Sequence, residues 1–193
     1  MKSTLILTAM CFALVGCSER STPAGDADSA PPPPTSLPDA PAGPAEGAAV
    51  AVLAGTVDSP VRGELHLTST GEGVRVMGEI AGLPPGSEHG FHVHEHGDCS
   101  APDASSAGGH FNPSAAPHGG PDAAARHLGD IPNIRANENG TADVNAVIAG
   151  ATLNDGGPNN LVGKAFIVHA KADDYKTQPS GDAGARIACG LIQ

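Results

Sequence analysis

The chain has 193 residues with 26 Gly, 18 Pro, no Trp and aromatic side chains at only 3%, so a core must come from Val, Ile, Leu and Ala, reinforced by a covalent or metal cross-link. Lys plus Arg number 10 against 21 Asp plus Glu, a formal net charge of −11, which excludes nucleic acid as a partner and argues against electrostatic binding to an anionic membrane surface. Nine histidines break the pattern of an ordinary acidic domain, eight of them after residue 80, and imidazoles at that density point to metal.

The first residues, MKSTLILTAMCFALVGC, place one Lys ahead of an apolar run from Leu5 to Gly16 interrupted by Thr8. The run is too short for a hydrocarbon core of about 30 Å, which takes roughly 20 helical residues; residues 1–16 read as a secretory signal and predict an exported protein. Leu14-Val15-Gly16-Cys17 resembles the lipobox of bacterial lipoproteins, which makes Cys17 the lipidation candidate and the point of membrane anchoring. An ordinary signal peptide, leaving Cys17 unmodified, is the competing reading. Ser18 fits a periplasmic lipoprotein released to the outer membrane. Residues 17–49 are dominated by Pro, Ala, Gly, Ser and Asp, with four prolines at 31–34. Such a segment cannot bury enough apolar surface to offset its ordering entropy, and a disordered tether is expected.

From residue 50 to 193 short segments alternate between Gly, Pro and Asn punctuation. Val61, Gly63, Leu65 and Leu67 interleave with Arg62, Glu64 and His66; Val74, Val76, Gly78 and Ile80 interleave with Arg75, Met77 and Glu79. That period of two predicts half-buried strands. Further strands are expected at 51–57, 90–95, 142–149, 164–169 and 186–192. About eight short strands without a helical period predict an all-β domain, an antiparallel sandwich or flattened barrel. Residues 97–129 and 170–185 are too long for hairpin turns, and long loops held within a compact domain are usually functional.

Of four cysteines, Cys11 leaves with the signal and Cys17 is claimed by lipidation, so Cys99 and Cys189 remain in the domain. Two thiols in an oxidising compartment are expected to pair. Their bridge would close a loop of about 90 residues, worth roughly 4–5 kcal/mol in the chain-entropy treatment.

His92-Val93-His94 lies in a strand-like segment, where residues i and i+2 share a face, so two imidazoles stand side by side. The first long loop adds His110, His118 and His127, followed three positions on by Asp130, and a later strand ends on His169. Six imidazoles and a carboxylate exceed one tetrahedral site. Two four-coordinate metals need one shared side chain, and imidazole has the two nitrogens to bridge. The Asp-containing set suits zinc and an all-His set suits copper.

GFHVHEHGDCS (90–100), GGHFNP (108–113), HGGP (118–121), RHLGD (126–130), VHAKADD (168–174) and GDAGARIACGLI (181–192) together resemble the copper/zinc superoxide dismutase family in its exported bacterial form, over nearly all of residues 50–193. The resemblance implies a Greek-key fold and an oxidoreductase that converts two superoxide anions and two protons to dioxygen and hydrogen peroxide, copper cycling between Cu(II) and Cu(I), in defence of the cell envelope. It implies one copper per subunit at His92, His94, His110 and His169 and one zinc at His110, His118, His127 and Asp130. His110 is then the shared, catalytically protonated ligand, Arg186 the cation that receives superoxide, Asp173 the carboxylate joining a copper ligand to a zinc ligand, and Cys99–Cys189 the disulfide. His89 falls where the family has a backbone-bonding histidine. It leaves monomer and homodimer both open.

His66 reads as a solvent-facing strand residue and His96 as a loop residue near the site. Residues 50–193 carry 16 acidic and 8 basic side chains, net −8; two divalent ions less one imidazolate leave about −5. Docking an anion then needs a locally positive cleft, for which Arg186, Lys171 and Lys176 are the candidate side chains. A metal-storage protein would share the histidines but has no use for Arg186 or a shared His110.

Overall fold

The computed structural model describes residues 47–193. The signal, Cys17 and most of the expected tether lie outside the described residues.

Nine strands form among the described residues: β1 (Ala48–Gly55), β2 (Arg62–Ser69), β3 (Gly73–Ala81), β4 (Glu88–His89), β5 (Phe91–His94), β6 (Ile134–Arg135), β7 (Thr141–Ala149), β8 (Ala165–His169) and β9 (Arg186–Leu191). Seven make one sheet in the order β5-β8-β9-β1-β2-β3-β7, and β4 pairs with β6. Every strand pairing is antiparallel. The chain leaves β3, crosses to the far edge for β5, returns for β7 and crosses again to β8, a Greek-key path. β4 runs into β5 across Gly90, and β6 leads through a turn at Asn137–Gly140 into β7. The small pair therefore joins the two edge strands and the sheet curls into the expected flattened barrel.

Alternation explains the interior. Leu65 and Leu67 on β2, Val74, Val76 and Ile80 on β3, and Phe91 and Val93 on β5 all turn inward, each contributing about 1.5–3 kcal/mol by burial. Phe91 stacks on Phe166 of β8 at 5.0 Å between centroids, which puts two of the few aromatics at the centre. The opposite face of β5, β8 and β9 is buried too: Ala165, Ile167 and Cys189 pack with Ala104 and Ala107 of the first long loop.

The strand bounds depart from expectation in two places. β1 begins at Ala48, two residues inside the expected tether, because Ala48 and Ala49 pair with Thr68 and Leu67 and Ala49 is buried; alanines carry no period-two signal. β4 and β6 were not expected as separate strands, and at two residues each they are too short to show a period.

Candidate metal centre

On β5, Phe91 and Val93 enter the core, leaving His92 and His94 together on the other face, opposite Ile167 and Ala165 of β8. The free edge of β5 is taken up by the loop. Val93 N–H donates to Gly129 O, Phe111 N–H to Val93 O and Glu95 N–H to Gly109 O. These bonds set His92 in bridge register with Asp130 and His94 with His110. Loop-borne candidates are thus aligned to strand-borne ones by backbone pairing, which also blunts the sheet edge.

His169 ends β8. Beyond Val168↔Ala188 the ladder shifts, and the extra residue Ile187 brings Arg186 opposite His169. This β-bulge re-aims the side chain beyond it. Thr56, just past β1, holds the bulge by donating from Oγ1 to Arg186 O and from N–H to Ile187 O. The Arg186 guanidinium donates to Ala104 O at 2.6 Å and to Gly108 O at 2.5 Å.

The imidazoles spend one nitrogen on the protein and keep the other for the centre. His92 donates from Nε2 to Asp173 Oδ2 at 2.7 Å, and His118 from Nε2 to Asp173 Oδ1 at 3.0 Å. His94 donates from Nδ1 to Gly108 O, and His169 from Nδ1 to Gly184 O. Two four-donor groups result, His92/His94/His110/His169 and His110/His118/His127/Asp130, with the donor atoms of each within 4.8 Å of one another. His92 Nδ1, His110 Nε2 and His118 Nδ1 are buried without hydrogen-bond partners, although His118 Nδ1 lies 3.0 Å from Asp130 Oδ1. His94 Nε2 and His169 Nε2 face each other at 3.4 Å, as do the Nδ1 atoms of His110 and His127. Buried nitrogens left without partners and converging in this way are costly unless a cation sits among them.

Burial pushes His92 down to about 4 and His169 down to about 3, lowers His94 well below the ordinary histidine value, and lowers His127 as well. All are held neutral at pH 7, the form a metal requires. Burial works the other way on Asp130, but hydrogen bonds from His110 and the Gly119 N–H hold its carboxyl well below the usual range. Asp173 is kept low against its burial by His92, the Tyr175 N–H and His118. Burial lowers Arg186, with Asp103 opposing.

The remaining expected residues fall as follows. His89 is buried, bonded through Nδ1 to His169 O at 2.7 Å and through Nε2 to Ser87 Oγ at 2.6 Å, so it braces a site residue through its backbone. His66 is exposed beside Glu64, and His96 is exposed beside Glu95. Cys99 and Cys189 are bridged, with Cα atoms 5.8 Å apart. A cleft of about 550 Å³ opens over the centre, lined by His94, His110, His127, His169, Arg186 and Glu95 among others. Lys171 and Lys176 are not in its lining; Lys171 instead faces Asp182 at 3.8 Å.

Three supporting residues were not expected. Gln178 accepts from the His118 N–H at Oε1 and donates from Nε2 to His118 O, clasping that residue's backbone across 60 positions of sequence. Asn133 does the same to Asp173. Gly181 has φ +68°, and a Cβ there would lie 1.7 Å from Asp173 Oδ1, so the carboxylate's place depends on a bare backbone. An amide side chain in a loop carries no distinguishing sequence signal.

Fold and site define a class: an antiparallel β protein built around a paired metal centre whose halves meet at one imidazole. The family model described as copper/zinc superoxide dismutase (SODC) matches residues 61–192. Superoxide dismutase [Cu-Zn] 2 of Aquifex aeolicus is 41% identical over 139 residues, 70% of this chain and 81% of that protein. Superoxide dismutase [Cu-Zn] of Paramecium bursaria Chlorella virus 1 is 40% identical over 150 residues, 75% of this chain and 76% of that protein. The crystal structure of a SOD-like protein from Bacillus subtilis superposes with a TM-score of 0.67 at 38% identity, covering 75% of this chain and 97% of that one. The chain belongs to the copper/zinc superoxide dismutase family.

Proposed function

We propose that the protein is a superoxide dismutase, with copper at His92, His94, His110 and His169 and zinc at His110, His118, His127 and Asp130. The observation that carries this is the placement of His110, whose Nδ1 meets Asp130 at 2.7 Å in one group while its Nε2 is left without a partner, donor to the other. Copper, when bound, would supply reversible one-electron exchange with superoxide, and zinc would hold its ligands in place without redox chemistry.

The chain's own residues do the rest. Arg186, a permanent cation held by two carbonyls at the cleft, orients the anion. His110 can take and release a proton at Nε2 while Nδ1 stays committed to the Asp130 side, so it delivers one of the two protons that peroxide needs and solvent delivers the other. Asp173 couples the two halves by holding His92 and His118 on its two oxygens. The disulfide ties the loop carrying Ala104 and Gly108 to β9, which carries Arg186.

The test is dismutation by the purified protein reloaded with copper and zinc, alongside copper EPR. Turnover at full loading is expected; no turnover with a fully loaded copper site overturns the reading in favour of metal storage.

We also infer an exported lipoprotein of the periplasm, anchored to the outer membrane at Cys17, with residues 1–16 as signal and the stretch up to the first strand as spacer. The motif Leu14-Val15-Gly16-Cys17 and the disulfide support this. Fractionation of wild type against Cys17→Ser tests it: the variant should lose membrane association.

A further inference from the structure

Among the described residues lining the cleft, Arg186 carries the formal positive charge and Glu95 the negative one. The two are mounted on a single peptide unit. Arg186 Nη2 donates to Gly108 O at 2.5 Å, and the adjoining Gly109 N–H donates to Glu95 Oε1 at 3.0 Å. C=O and N–H of one trans peptide point in opposite directions, so guanidinium and carboxylate are held roughly 8 Å apart. The Glu95 side chain lies against the bare backbone of Gly108, where a Cβ would come within 2.5 Å of its Oε1. Its nearest ion-pair partner is His96 at 3.6 Å, while Lys164 donates to the Glu95 main-chain oxygen instead. The carboxylate is therefore anchored in the cleft beside the cation.

We infer that Glu95 attenuates the pull of Arg186 on incoming anions while clamping Gly109 beside His110. The inference rests on the dismutase reading. An anion docked at Arg186 feels Glu95 at about 8 Å, where a unit charge in water changes occupancy about two- to threefold. The Debye length is about 30 Å at 0.01 M salt and about 3 Å at 1 M, so the effect belongs to low ionic strength.

Glu95→Gln removes the charge and keeps an oxygen to accept from Gly109 N–H; Glu95→Ala removes both. With both metals loaded, Glu95→Gln should raise the second-order rate with superoxide, and tighten azide binding followed optically, by about two- to threefold in dilute buffer. Both gains should vanish near 1 M salt while the copper EPR spectrum stays that of wild type. Glu95→Ala should perturb that spectrum, because the clamp on Gly109 is lost. Glu95→Gln with unchanged rate and azide affinity in dilute buffer, or with a gain that persists at 1 M salt, overturns the inference. A wild-type protein that binds azide but does not dismutate overturns the functional reading instead, and the azide comparison still decides the role of Glu95.

Discussion

The two donor groups are built by different means. His92, His94 and His169 stand on β5 and β8, inside continuous backbone ladders. His118, His127 and Asp130 stand on the long loop, whose place depends on edge bonding to β5 and on side-chain clasps from Asp173 and Gln178. A strand-borne site is preorganised by the barrel, whereas a loop-borne site shares its ordering cost with the metal that fills it. The copper half should thus resist damage to the loops, and the zinc half should report it.

The largest effect tests the point where the two constructions meet. His110→Ala removes a donor from both groups, so both affinities should fall by more than about a hundredfold, beyond what losing a supporting group costs, and turnover should be lost; chelator competition for each metal checks this. Retention of either metal at wild-type affinity would detach His110 from that half. Asp173→Asn replaces a double acceptor with an amide that can accept from only one imidazole. Zinc affinity should fall about 10–100-fold, and copper less, because the ladder still holds His92. Equal losses would break the comparison.

Acid should weaken the metal-free protein through both halves. The folded pKa values of His92 and His169, about 4 and about 3, lie below the ordinary 6.5, so the unfolded chain binds more protons in between. Their stability contribution is full above pH 6.5 and declines as pH falls toward 4; His127, also depressed by burial, adds with the same sign. Asp130, depressed below the carboxylate value, keeps its contribution until pH falls below 3.8. The denaturant midpoint should drop between pH 7 and pH 4, and a flat midpoint would contradict it. The smallest effect is expected from Gln178→Ala, which removes two hydrogen bonds to the His118 backbone, each worth about 1 kcal/mol. Zinc should dissociate several-fold faster with the copper EPR signal unchanged, and an altered copper signal would show that the clasp serves both halves.

Much of this was open to reading in the sequence because its signals are local. Alternation in 61–67 and 74–80 marks strands, and His92-Val93-His94 marks a shared face. The family motifs single out His110, His118, His127, Asp130 and His169, and the donor atoms of these residues fall in two groups that share His110. What was missed is long-range or lacks a distinguishing pattern. Gln178 acts across 60 residues through an ordinary amide, and Ala48–Ala49 enters the sheet on side chains too small to show a period. Charge alone makes Lys171 and Lys176 candidates for steering without choosing between them; neither lines the cleft, and Lys171 lies 3.8 Å from Asp182.

Ile187 carries a consequence of another kind. Side-chain direction alternates along a strand, so one residue more or fewer between Arg186 and Ala188 exchanges the facing of Arg186. The orientation of the anion-receiving cation is thus a matter of counting: an otherwise conservative deletion at Ile187 would leave every ligand identity intact and turn the guanidinium away. Such a chain would keep its metals and lose its sense of the substrate.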